Sequence, residues 1–181
     1  MRLRPLCSTL ALLVAFAAAG CGGDDEPADP TTDQGQEQAE TTETSPAAAA
    51  EALKDTSVKP EVPRPVGSPP RRLETENIVK GKGPPAKRGD KVVVNYVGVT
   101  FSTGKEFDTS WDIGRPYRFP LGHGEVIEGW DKGIVGMREG GRRQLTIPPE
   151  LAYGADGSPP DVPTNETLVY VIDLVRIQGS S

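Results

Sequence analysis

The sequence predicts an α+β fold, an antiparallel β-sheet of about five strands wrapped around one short amphipathic α-helix. Three observations predict it. Lys91–Thr100 (KVVVNYVGVT) and Leu168–Ile177 (LVYVIDLVRI) are long runs of β-branched and aromatic residues. Ser102-Thr103-Gly104-Lys105 has the makeup of a hairpin turn, with Phe101 and Phe107 on either side of it. Only one stretch, beginning near Val126, carries apolar residues at convincing helical spacing. A helix stripe and a sheet face each need something to bury against, so the helix must lie across the sheet.

The Lys91–Thr100 strand follows the turn-forming Lys87-Arg88-Gly89-Asp90 and is expected at the centre of the sheet. The helix is expected to start near Val126, because Ile127, Trp130, Ile134 and Met137 recur at intervals of three and four residues, and to end at Gly140-Gly141. Arg142–Ile147 (RRQLTI) alternates polar and apolar residues before Pro148-Pro149, which predicts a strand, and Leu168–Ile177 supplies the last one. The stretch LGHGEVIEGW, Leu121–Trp130, sets the helix start directly behind a glycine-bracketed loop. That is the makeup of a pocket with a hydrophobic floor. Tyr96, Phe107, Tyr117, Phe119, Tyr153 and Tyr170 are the aromatics able to converge on it from sheet and loops. Taken by themselves, Trp130, Phe119 and Phe107 read as core residues.

Ahead of this domain, assigned to residues 71–181, the chain has two other regions. Residues 1–20 read as a secretory signal: Arg2 and Arg4 precede an apolar run, Leu6–Ala19, that stops at small residues. A membrane-spanning helix needs roughly 20 apolar residues, and this run is shorter. Ala18-Ala19-Gly20-Cys21 resembles the bacterial lipobox, although that motif usually opens with Leu. The resemblance implies that Cys21 is acylated, becomes the new N-terminus and holds the protein on the outer side of a cell-envelope membrane. Plain secretion with a free Cys21 and an incidental apolar Ala-rich stretch are the alternatives. Residues 21–70 are expected to be a disordered tether, acidic and then Pro-rich. Between Gly22 and Ser57 there are ten Asp and Glu against one Lys, Lys54, and no hydrophobic periodicity. As a mostly flexible chain the tether would reach roughly 40 Å.

Charge and cysteine usage exclude several functions. Residues 71–181 hold 15 Lys plus Arg against 15 Asp plus Glu, so the net charge of −6 comes from the tether. Without a basic excess, nucleic-acid binding through phosphates is not expected. Cys7 would leave with the signal and Cys21 would carry lipid, so the mature chain has no disulfide. With His123 as its one histidine, in a loop that reads as exposed, no metal site and no cofactor are expected.

Six motifs, in order, carry a resemblance across the domain: VNYVG at Val94–Gly98, EFDTS at Glu106–Ser110, RPYRF at Arg115–Phe119, EVIEGW at Glu125–Trp130, LAYG at Leu151–Gly154 and LVYVIDLV at Leu168–Val175. From about Leu73 to Ile177 the chain resembles the FKBP-type peptidyl-prolyl cis-trans isomerases, the macrolide-binding immunophilin family. The resemblance implies a pocket in which Tyr96, Phe107, Asp108 and Tyr153 serve catalysis. Tyr117, Phe119, Val126, Ile127, Trp130 and Tyr170 would bind the substrate, with Trp130 as the floor. The Ile127 N–H and the Tyr153 hydroxyl would bond to ligand carbonyls. The implied partners are proline-containing polypeptides and macrolide inhibitors, and the domain is expected to be monomeric.

The chemistry so implied is conformational. Rotation about an X-Pro bond takes tens to hundreds of seconds at 25 °C because amide resonance must be broken. An apolar pocket that strips water from the amide favours the twisted form, so no nucleophile is required. A non-catalytic proline-binding module, or a holdase-type chaperone, is the rival reading. The resemblance departs in the loop Asp156–Thr164, where Ser158 stands in place of a common His and Asp161 in place of an aliphatic residue. The resemblance therefore leaves substrate preference and macrolide affinity open. The same loop is too short for the inserted chaperone flap of some bacterial relatives.

Overall fold

A computed structural model of the chain describes residues 51–179. The signal-like run, Cys21 and the acidic tract up to residue 50 lie outside the described residues. The elements are β1 (Glu74–Val79), β2 (Lys91–Thr100), β3 (Glu106–Thr109), β4 (Tyr117–Pro120), α1 (Glu128–Gly133), β5 (Arg142–Ile147), a 3₁₀ turn (Pro149–Leu151) and β6 (Leu168–Gln178).

All strand pairs are antiparallel, in the order β1-β5-β6-β2-β3, with β4 also pairing β2. The two long apolar runs pair with each other from Lys91↔Gln178 to Thr100↔Leu168, with one register shift after Val93. They form the middle of the sheet because their residues are buried on both faces. On the helix side lie Val94, Tyr96, Tyr170, Ile172 and Leu145, which join Trp130, Ile134 and Met137 in one core. The alternate residues Val97, Val99 and Val169 form a second, smaller cluster, as the two-residue period of a strand requires.

The α+β class and the single short helix appear as the sequence predicts, with six strands. Two details differ. The helix ends at Gly133, not at Gly140-Gly141. Gly136, with φ +78°, turns the chain, and Met137 reaches the core from beyond the helix, held by the Ala86 N–H donating to its carbonyl. Helical spacing thus persisted in the sequence past the point where the backbone stopped being helical. Strand β1 went unpredicted because ETENIV is largely exposed and polar; it is ordered by its ladder to β5.

Residues 51–70, assigned by composition to the tether, lie on the domain. Leu53 and Pro60 are buried, and Val62 packs on the Val97/Val99/Val169 cluster. The segment has too few apolar residues to fold alone, but the outer face of β2 and β6 offers it an apolar floor.

Candidate active site

The floor is Trp130, 4% exposed, in the first turns of α1. Helix α1 comes close to β5 because Gly129 and Gly133 face Ile147 and Leu145; a Cβ at either would overlap those side chains. That contact sets the depth of the indole. Tyr96 and Tyr170 meet it edge-on at centroid distances of 4.9 and 5.1 Å, with interplanar angles of 76° and 87°. These are favoured aromatic arrangements.

The walls come from adjoining strands. Tyr96 of β2 donates a hydrogen bond from its hydroxyl to Asp108 Oδ2 at 2.9 Å. Asp108 sits on β3, paired to Gly98, where a bulge re-aims the strand. Phe107 lies edge-on to Tyr170 at 5.6 Å. Gly98 is needed beneath them, because a Cβ there would lie 2.6 Å from the Tyr170 ring and 3.0 Å from Phe107. From β4, Tyr117 is exposed and stacks at 5.6 Å on Phe119, which is buried and lies 5.8 Å from Trp130.

Together these groups enclose a cavity of about 540 Å³, lined by Tyr96, Asp108, Tyr117, Val126, Ile127, Trp130, Tyr153 and Tyr170, with Gly124 and Glu125 at the edge. Of the residues predicted for the site, eight line the cavity. Phe107 and Phe119 do not; they support the rings that do. Ile127 caps the helix with extended ψ, and its backbone N–H has no hydrogen-bond partner among the described residues. Burial, and for Tyr96 also the bond to Asp108, pushes the hydroxyls of Tyr96 and Tyr170 well above the usual tyrosine range, so both stay neutral.

The sequence reading missed what holds the loop in front of the helix. Asp131 is buried, and its two carboxylate oxygens accept the N–H groups of Gly122 and Gly124 at 2.8 and 2.9 Å. No spacing rule marks an acid in the first turn of a helix as a ligand for the loop behind it. In the Asp156–Thr164 loop, Asp161 is exposed, but its neighbour Val162 is 3% exposed and belongs to the core, so an aliphatic residue is present one position on. Ser158 and Val162 exchange backbone hydrogen bonds and close this loop on itself.

Comparison with known proteins gives the same answer from three directions. The family model described as FKBP-type peptidyl-prolyl cis-trans isomerase matches residues 83–175. The chain is 52% identical over 120 residues to the FK506-binding protein of Streptomyces anulatus, covering 66% of this chain and 97% of that protein. It is 51% identical over 117 residues to a Corynebacterium glutamicum protein named "Probable FK506-binding protein", covering 65% and 97%. Among solved structures, the crystal structure of AtFKBP13 superposes with a TM-score of 0.55 at 38% identity, over 59% of this chain and 93% of that one. An aromatic cavity floored by a helix-borne tryptophan, on a sheet that matches this family in sequence and in fold, leaves one assignment: the chain belongs to the FKBP-type peptidyl-prolyl cis-trans isomerases.

Proposed function

We propose that the chain isomerises X-Pro bonds in exported polypeptides, with the proline ring seated on Trp130 and the amide twisted without covalent chemistry. The observation that carries this reading is the three-ring box of Trp130, Tyr96 and Tyr170 with one hydrogen-bonded carboxylate at its wall. The planar amide is stabilised by resonance worth a barrier of about 18–20 kcal/mol. Its dipolar form is favoured by water, so burying the bond among rings removes that support and lowers the relative cost of the twisted state. The Ile127 N–H, unbonded among the described residues, would supply a donor for a substrate carbonyl and orient the chain across the floor. Tyr153, exposed and lining the same cavity, would give a second. Asp108 fixes the Tyr96 hydroxyl and puts negative charge beside the twisting bond. FK506, the compound in the relatives' names, would enter this same cavity.

The test is acceleration of cis-trans exchange in an X-Pro peptide by the full chain. Asp108→Ala frees the Tyr96 hydroxyl and removes the carboxylate from the cavity wall, so kcat/KM should fall roughly tenfold, a loss of about 1.4 kcal/mol of transition-state stabilisation. No acceleration by the wild type, together with measurable binding of a proline peptide, would establish the non-catalytic binding reading instead. Export and anchoring rest on the signal-like run and Cys21. Mass spectrometry of the mature N-terminus should find a lipid-modified Cys21; an unmodified cysteine or a different cleavage site would remove the anchor.

A further inference from the structure

The side of the sheet facing away from Trp130 carries a buried charge. Arg142 is 0% exposed and Asp173 4%. They pair through Arg142 Nε to Oδ1 at 2.5 Å and Nη2 to Oδ2 at 2.7 Å. A guanidinium has five N–H donors. The other three are all taken by backbone carbonyls of the N-terminal segment: Nη1 donates to Leu53 and to Asp55, each at 2.9 Å, and Nη2 to Val58 at 3.1 Å. These acceptors lie 84 to 89 residues away in sequence. They converge because Asp55 accepts the Ser57 N–H and hydroxyl, which curls the chain between them.

We infer that residues 51–64 are a built-in strap, clasped by Arg142, that mounts the N-terminal tract on the face of the sheet opposite the proline pocket. The opposition of faces follows from strand parity. Tyr96, Gly98 and Tyr170 point to the helix; Val97, Val99, Val169 and Asp173 point away. From the clasp the strap runs over that outer face. Pro60 is buried and Val62 covers Val97, Val99 and Val169 beside Trp111. Lys59 bridges Glu106 and Asp112 at 2.8 and 2.9 Å, and Arg64 bonds to the Ser102 carbonyl at 2.9 Å. Gly104 has no side chain where Arg64 crosses it; a Cβ there would lie 2.8 Å from the Arg64 Cβ.

The occupant of this outer face is therefore the chain's own segment, and the surface is closed to others while the strap is down. Two consequences follow. A pull on the chain ahead of residue 51 is delivered to β5 and β6 at Arg142, on the face away from the pocket. The strap also withdraws the last 20 residues, 51–70, from the tether that composition predicts. The orientation rests on the proposed reading of the Trp130 cavity as the proline site; the clasp does not.

The test is NMR on the full chain. Expected are slowly exchanging, dispersed guanidinium protons for Arg142, and contacts from the Val62 methyls to Val97, Val99 and Val169. Random-coil shifts for Leu53 and Val62, with averaged Arg142 signals, would overturn the strap. Val62→Asp, at a part-exposed strap position, should shift the Val97, Val99 and Val169 methyl resonances and move Lys59–Arg64 toward random-coil shifts, while kcat/KM on an X-Pro peptide stays within twofold. A larger loss in a folded variant would overturn the separation of strap and pocket. A wild type that shows the NMR contacts but no isomerisation would sink the proposed activity and leave the clasp standing.

Discussion

At Gly98 the pocket depends on an absent side chain. The rings of Phe107 and Tyr170 occupy the space a methyl would need. Gly98→Ala should cost about 1–3 kcal/mol through overpacking, seen as a lower melting temperature, with a further loss of isomerase activity as Tyr170 is displaced. The tyrosines give a second residue-scale expectation. Tyr96 and Tyr170 have folded-state pKa values raised above the ordinary value of about 10, chiefly by burial. Below pH 10 both are neutral in either state and contribute no pH dependence. Above it, the unfolded chain loses protons that the folded chain keeps. Stability should therefore fall as pH climbs from about 10 toward the raised values. Alkaline titration followed by tyrosinate absorbance should show these two ionising only as the protein unfolds. Ordinary titration of all four tyrosines in the folded protein would contradict this.

Helix α1 is six residues long and would not survive alone. It persists because Gly129 and Gly133 let it lie against β5, and because Asp131 ties the preceding loop to its first turn. Intrinsic propensity and packing make opposite forecasts at Gly129. Alanine is the better helix former by about 1 kcal/mol, yet its methyl would overlap Ile147. Overpacking of about 1–3 kcal/mol should win, so Gly129→Ala is expected to destabilise, as chemical denaturation can measure. Asp131→Ala should leave two loop N–H groups unbonded. It should raise KM for a proline peptide, because Gly124 and Glu125 edge the cavity, and also lower the melting temperature.

At the scale of the molecule, the folded unit begins earlier than composition suggests. Removing residues 1–70 should lower the melting temperature more than removing residues 1–50, because Arg142 then trades three backbone acceptors for water and Val97, Val99 and Val169 lose the cover of Val62. Equal melting temperatures for the two truncations would count against the strap. Catalytic tests are therefore best made on a chain that includes residues 51–70.

The strands β2, β5 and β6 were legible in the sequence nearly to the residue, β2 and β6 as unbroken apolar runs rich in β-branched residues and β5 by its polar–apolar alternation. The candidate pocket residues were legible too, through six ordered motifs, and eight of the ten line one cavity. What only the tertiary structure decided are the features made by distant partners. The polar strand β1 exists by its ladder to β5, the helix stops where Gly136 turns the chain, and Phe119 drops behind Tyr117 into the core. Above all, a Pro-rich acidic stretch reads as tether from composition, since its own apolar content is too low to fold it. Its docking depends on an arginine more than 80 residues away whose donors it completes, and local composition has no means to register that.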